Sequence, residues 1–98
     1  MLNECHFEGR LSAAAEEHTF PSGDVVVMFR LIVPRADESR VDTIDCRVDP
    51  ARLRRRALAL QPGAELTVEG ALHRRFWRSP SGPASRYEVQ VTQLRKSG

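Results

Sequence analysis

Apolar and polar side chains alternate with a period of two in several separated segments, and this pattern constrains the fold more than any other feature. It is present in residues 5–11, 66–77 and 86–94, while residues 25–33 are rich in β-branched side chains. This period is typical of β-strands that bury one face. The predicted inward-facing residues are Cys5, Phe7, Gly9, Leu11, Val27, Phe29, Leu31, Val33, Leu66, Val68, Gly70, Leu72, Tyr87, Val89 and Val91.

The segments between these strands carry turn and helix signals. Pro21-Ser22-Gly23-Asp24 predicts a hairpin turn, because proline presets φ and glycine accepts positive φ at little cost. Residues 34–40 predict a charged loop, and residues 43–48 predict a short strand. Asp49 and Pro50 then predict an N-cap and a first-turn proline for a helix that runs to about Leu60. Residues 79–85 are small or helix-breaking, which predicts a flexible loop between the last two strands.

Three strands, a helix and two further strands, joined by short connections, match one architecture. It is all-β: a five-stranded Greek-key barrel of the OB type, with one short helix between strands 3 and 4. A length of 98 residues with 41% hydrophobic content suffices for one core. We therefore expect residues 1–98 to form a single OB-fold domain.

Composition bears on the cellular compartment and on the cysteines. The chain has no apolar run near the roughly 20 residues of a membrane helix, and its N-terminus lacks a signal-peptide pattern. We expect a cytoplasmic protein without a membrane partner. Cys5 and Cys46 each stand in a predicted strand, where cysteine usually behaves as a small hydrophobic residue, so both are expected to be reduced.

The clearest candidate for a binding surface lies in the fourth predicted strand. His73, Arg75 and Trp77 share the face opposite its apolar residues, and a cation beside an exposed indole is suited to stacking on a nucleic-acid base. The alternative for Trp77 is packing against a loop or a subunit partner. The predicted DNA-binding residues are Arg30, Arg47, His73, Arg75, Trp77, Arg78 and Arg86.

Catalytic and metal-binding patterns are missing from the sequence. The histidines lack a second ligand at a metal-like spacing, and no Ser/His or paired-carboxylate arrangement suggests an acid–base site. The run Arg54-Arg55-Arg56 is interpreted as the solvated face of a helix. We predict no enzyme activity, no cofactor and no metal.

Short motifs connect the chain to a known family. Gly9-Arg10-Leu11, Ser22-Gly23 and the segment from Val26 to Leu31 occur in the same order as in the bacterial single-stranded DNA-binding proteins. The segment Val68-Glu69-Gly70-Ala71-Leu72-His73-Arg74-Arg75-Phe76-Trp77 resembles the family pattern Val-Glu-Gly-x-Leu-x-x-Arg-x-Trp. The resemblance spans nearly the whole chain. It implies sequence-independent binding of single-stranded DNA in replication, recombination or repair, by base stacking and phosphate contacts.

The resemblance has further implications and two gaps. It implies a homotetramer built as a dimer of dimers through the first strand, with a dimer as the second possibility. The other aromatic positions of the family correspond to about Asp37, Thr43 and Asp49, which predicts weak and salt-dependent binding, or none. The acidic tail of the family has no counterpart before Gly98, so tail-mediated recruitment is not expected. The alternative function is a protein-interaction or assembly module whose DNA binding is weak or lost.

Overall fold

The computed structural model describes residues 1–37 and 39–97, which form six strands and one helix. The elements are β1 (Cys5–Leu11), β2 (Glu16–Thr19), β3 (Val25–Pro34), β4 (Val41–Val48), α1 (Ala51–Leu58), β5 (Glu65–Ser79) and β6 (Gly82–Lys96). All five predicted barrel strands are present. The last two are longer than predicted, with 15 residues each.

Five of these strands close into a barrel. The sheet order is β1-β5-β6-β4-β3-β2, and the pairs Arg10↔Ile32 and Leu11↔Leu31 join β1 to β3. β4 and β6 pair in parallel near Cys46 and Val89, and the other strand pairs are antiparallel. Within the described residues, β2 pairs with β3 alone and lies outside the ring. The five-stranded OB barrel with one helix between its third and fourth strands is therefore confirmed.

The core consists of side chains on the predicted inward faces, joined by one face of α1. Leu53 and Ala57 of the helix are buried against the barrel. Gly70 lies where β5 meets β6, and a Cβ there would stand closer than 3.0 Å to the Gln90 carbonyl oxygen. The fully buried larger side chains are Leu11, Val26, Val27, Leu31, Cys46, Val48, Leu66, Val68, Val89, Val91 and Leu94.

The prediction for the start of the helix is wrong. Pro50, not Asp49, occupies the N-cap position, and no side chain caps the helix there. Asp49 instead accepts hydrogen bonds from Arg47 Nε at 2.9 Å and from Gln90 Nε2 at 2.6 Å. Arg47 and Gln90, which lie on neighbouring strands, bind the carboxylate more strongly than the free N–H groups of the helix N-terminus would, because the contact with Arg47 joins two charged groups. The helix also ends at Leu58, two residues before the predicted Leu60, which still packs against the core.

The predicted flexible loop at residues 79–85 is also wrong. β5 and β6 continue to pair up to Ser79↔Gly82, so only Pro80 and Ser81 form the turn. Gly82 has a φ of 122°, which an L side chain rarely adopts. The Ser79 hydroxyl donates to the Gly82 carbonyl at 2.7 Å and stabilises the turn. The small residues of this segment therefore continue the paired strands of the hairpin up to a two-residue turn.

Leu72 and Tyr87 were predicted to face the core, but their residue surfaces are 44% and 58% exposed. Pairing between β1 and β5 begins at Cys5↔Gly70, and pairing between β4 and β6 begins at Cys46↔Val89. Beyond these points only β5 and β6 pair with each other, so no barrel strand covers the Tyr87 ring.

Both cysteines are free, as predicted. Burial, with a smaller contribution from Asp45, raises the pKa of the Cys46 thiol to about 12. Cys46 is therefore a neutral thiol of the core at neutral pH.

Candidate nucleic-acid interface

The end of the β5–β6 hairpin extends beyond the barrel and presents two faces. From residue 73 to residue 88 these strands pair only with each other within the described structure. His73, Arg75 and Trp77 alternate onto one face, opposite Glu88, Arg86 and Ala84 of β6. We call this surface the groove face, because two of its arginines line the groove described next.

A groove of about 510 Å³ runs along the outer side of the barrel. Its walls come from β2, β3, β4 and the base of the hairpin, together with the segment after β1. Its lining includes Glu16, His18, Phe20, Met28, Arg30, Asp45, Arg75 and Arg86. Three arginines and an aromatic ring thus line one open channel, which suits a nucleic-acid strand, because such a strand carries both phosphates and bases.

Trp77 lies on the hairpin in the arrangement that the sequence predicted. Its residue surface is 42% exposed, and the Arg75 guanidinium carbon lies 5.7 Å from the centre of the indole. A cation at this distance over the ring face is held there by electrostatic attraction. One part of the indole is therefore covered by Arg75, while the remaining surface is open to a planar partner.

Two predicted arginines on the barrel wall are paired with carboxylates. Arg30 Nε donates to Asp45 Oδ1 at 3.1 Å, and both side chains line the groove. Arg47 forms a two-point contact with Asp49, with Nε–Oδ1 and Nη2–Oδ2 distances of 2.9 and 3.1 Å. The hydrogen bond with Asp49 raises the pKa of Arg47, and the same bond lowers the pKa of Asp49. Arg47 also lies 5.5 Å from the Phe20 ring centre, which places it beside the groove.

The other two arginines share a buried carboxylate. Arg75 Nε and Arg86 Nη2 each lie 3.8 Å from an oxygen of Glu88, whose side chain is only 3% exposed. Glu88 Oε2 and Arg86 Nε are buried, and neither has a hydrogen-bond partner among residues 1–37 and 39–97. A carboxylate between two cations offsets their mutual repulsion, although burying the charges costs free energy. Glu88 therefore keeps two arginines side by side in the lining of the groove.

The structure brings most, but not all, of the predicted residues together. Arg30, Arg75 and Arg86 line the groove, and Arg47 adjoins it through Phe20. His73 is exposed on the groove face of the hairpin. Arg78 follows Trp77 directly in the strand, so it projects from the opposite face and is separated from the predicted set.

Sequence reasoning missed several residues near the groove. Phe20 stands just before the hairpin turn and gave no periodic signal, while Met28 lies on the face of β3 opposite the predicted inward-facing residues. Only Val26 of that face is fully buried, and Met28 is half-buried. A methionine or phenylalanine in a strand is normally a core residue, so these two positions could be found only from the fold.

No group of three metal-ligating side chains occurs in residues 1–37 and 39–97. Across the same residues, no helix has the length and apolar character needed to cross a membrane.

Comparisons with known proteins address the family. The sequence model of the single-strand binding protein family matches residues 2–96. The chain belongs to the single-strand binding protein family. This membership confirms the predicted family and, at the coarse level, the predicted function of single-stranded DNA binding. No curated protein matches the sequence.

A solved structure supports the fold independently. It is the single-strand binding protein of Plasmodium falciparum in complex with single-stranded DNA, which is 20% identical to this chain with a TM-score of 0.81. The superposition covers 100% of this chain and 96% of that chain. At this identity the likeness establishes the shared barrel, while the residues that contact DNA have to be argued from the groove itself.

Proposed function

We propose that single-stranded DNA lies in the groove and continues along the groove face of the hairpin, with one base stacked on Trp77. Arg30, Arg75 and Arg86 contact the phosphates, and Arg47 and His73 flank the path. The observation that carries this proposal is the part-exposed indole beside Arg75, which itself lines the channel with Arg30 and Arg86. Stacking and phosphate contacts are both tolerant of sequence, so the binding is sequence-independent.

The ion pairs between the groove arginines and carboxylates predict how strong this binding is. Each groove arginine already has a carboxylate within 4 Å, so the strand gains less from each contact than it would from a free cation. The positions near Asp37, Thr43 and Asp49 also supply no aromatic ring. We therefore expect modest affinity that decreases as salt increases.

The assembly and cellular role are proposals of the same kind. Residues 5–9 of β1 pair with β5 on one edge and have no partner on the other within the described residues. An open strand edge can pair with a second copy, which supports a homotetramer built through β1, with a dimer as the simpler form. We propose a cytoplasmic, nucleoid-associated binding protein without catalytic activity, which acts as one domain in replication, recombination or repair.

A second function is favoured by the same open edge. If β1 and the hairpin serve only assembly, the chain is a protein-interaction module whose DNA binding is weak. Salt dependence separates the two functions, because phosphate contacts lose affinity linearly with the logarithm of salt and apolar protein contacts do not.

The first experiment is a titration of Trp77 fluorescence with oligo-dT at low and moderate salt. Saturable quenching that weakens with salt is expected. Trp77→Ala should weaken binding by about 1–3 kcal/mol in a mobility-shift assay, the contribution of one stacked base. Leu58→Ala is the matched control, because Leu58 is 43% exposed but lies on α1 and does not line the groove. Unchanged affinity of Trp77→Ala would remove the indole from the interface.

A further inference from the structure

The side of the hairpin that faces away from Trp77 carries a second cluster of exposed aromatic and basic residues. Leu72, Arg74, Phe76 and Arg78 alternate onto this side of β5, and Tyr87 of β6 stands opposite Arg74. We call it the reverse face. Phe76 and Tyr87 are 68% and 58% exposed, both more than Trp77. Exposed rings of this size require an explanation.

Arg74 is held in a fixed position at the centre of the reverse face. Its guanidinium carbon lies 5.0 Å from the centre of the Phe76 ring and 5.5 Å from that of Tyr87. Its Nε and Nη2 also donate to the Ser85 hydroxyl at 3.1 and 3.0 Å. The cation and both rings are thereby ordered without a ligand, which lowers the entropy cost of binding one.

The charge of the reverse face differs from that of the groove. Within the described residues, neither Arg74 nor Arg78 forms an ion pair with a carboxylate, whereas Arg30, Arg47, Arg75 and Arg86 all do. The sequence contains no acidic residue from Gly70 to Tyr87. The reverse face is therefore a patch of aromatic rings and unneutralised cations.

We propose that the reverse face is a second contact surface for single-stranded DNA, a proposal that rests on the function inferred above. A DNA strand that leaves the groove passes around the hairpin, stacks its bases on Phe76 and Tyr87, and places its phosphates at Arg74 and Arg78. A polyanion fits these features better than a second copy of the chain, because an apolar protein contact would bury two guanidiniums without partners. Arg74 and Phe76 occupy unspecified positions of the family pattern, so the pattern by itself does not imply this surface.

The test compares two lengths of oligo-dT. One has about 8 nucleotides, within the site size of a single OB fold, and the other is about four times as long. The double variant Phe76→Ser/Tyr87→Ser should weaken binding of the long oligonucleotide at least about tenfold more than binding of the short one, because two stacked bases are lost. Phe76→Tyr/Tyr87→Phe keeps both rings and should retain wild-type affinity for both lengths. Leu58→Ser controls for loss of an exposed apolar side chain on another element.

The outcomes separate the two proposals. If neither oligonucleotide quenches the Trp77 fluorescence of the wild-type protein, the proposed function fails and the reverse-face proposal falls with it. If the wild type binds and the serine variant loses no affinity, or loses the same factor for both lengths, only the reverse-face proposal is overturned. A change in oligomeric state of the serine variant with unchanged DNA binding would assign the surface to protein contacts and would also overturn it.

Discussion

The carboxylate of Asp45 is predicted to limit DNA affinity, and its removal should increase both affinity and salt dependence. Arg30 Nε donates to Asp45 Oδ1 at 3.1 Å, and the two side chains are 56% and 30% exposed. In Asp45→Asn, Arg30 is free to neutralise a DNA phosphate, and that contact releases a counterion condensed on the DNA. Each phosphate so neutralised changes the salt slope of log K by about 0.7 for a single strand.

The expected gain follows from this slope. If the extra contact contributes nothing at 1 M salt, a slope increase of about 0.7 gives about fivefold tighter binding at 0.1 M, or about 1 kcal/mol. Loss of fold stability should be small, because an exposed ion pair contributes only about 0–1 kcal/mol. The assay is fluorescence anisotropy of labelled oligo-dT between about 50 and 200 mM salt.

The matched control is Asp42→Asn on the same strand. Asp42 also pairs with an arginine, Arg35, at 2.9 Å, and its side chain is 50% exposed. Asp42 is separated from Asp45 by an odd number of positions along β4, so its side chain projects from the other face of the strand. Asp42 does not line the groove. Equal gains in the two variants would mean that only net charge matters. No gain in Asp45→Asn would refute the assignment of Arg30 to a phosphate contact.

Two further predictions concern stability. Gly70→Ala should destabilise the fold by about 1–3 kcal/mol in urea unfolding, because the new Cβ meets the Gln90 carbonyl and the backbone must move; a loss below about 0.5 kcal/mol would contradict this close approach. The hydrogen bond from Arg47 is the main cause of the lowered pKa of Asp49. The ionised carboxylate therefore stabilises the fold fully above the ordinary Asp pKa of about 3.9, and this stabilisation is lost as pH falls through the lowered pKa of the folded state. Thermal melts of wild type and Asp49→Asn should therefore converge as pH falls below about 4; a constant difference would contradict the ion pair.

Much of the barrel was predictable because its signals are local. Alternation in residues 5–11 identifies the buried face of β1, β-branched side chains in residues 25–33 identify a second strand, and Leu53 and Ala57 follow a helical period. These patterns depend only on which residues must leave water and on the geometry of a single element.

Predictions failed where side chains had a choice of partners. Asp49 has the residue type of an N-cap, but the fold brings Arg47 and Gln90 within hydrogen-bond distance of it. The small residues after Ser79 have the composition of a loop, yet their partner strand is long enough to keep them paired. Gln90 lies 41 residues from Asp49 in the chain and reaches it only in the closed barrel. Arg47 and the hairpin partners are close in the chain, but residue type alone does not show which partner is preferred.

The candidate site divides in the same way. The alternation of His73, Arg75 and Trp77 was sufficient to place a cation beside an indole on one face of a strand, and the structure places the two groups 5.7 Å apart. The same period also assigned Tyr87 to the core, because alternation shows which residues share a face but not where the covering strands end.

Side-chain periodicity and motifs with fixed spacing were enough to predict the barrel strands, the single helix, the family and the Arg75–Trp77 pair. Which charges meet depends on the fold. Glu88 lies between Arg75 and Arg86, and Asp45 lies against Arg30, because barrel closure aligns residues that are far apart in the chain. It also left Arg74 between two exposed rings, since the hairpin continues past the strands that would have covered it. Electrostatic pairing and burial depend on distances across the fold, and the order of residues along the chain does not contain those distances.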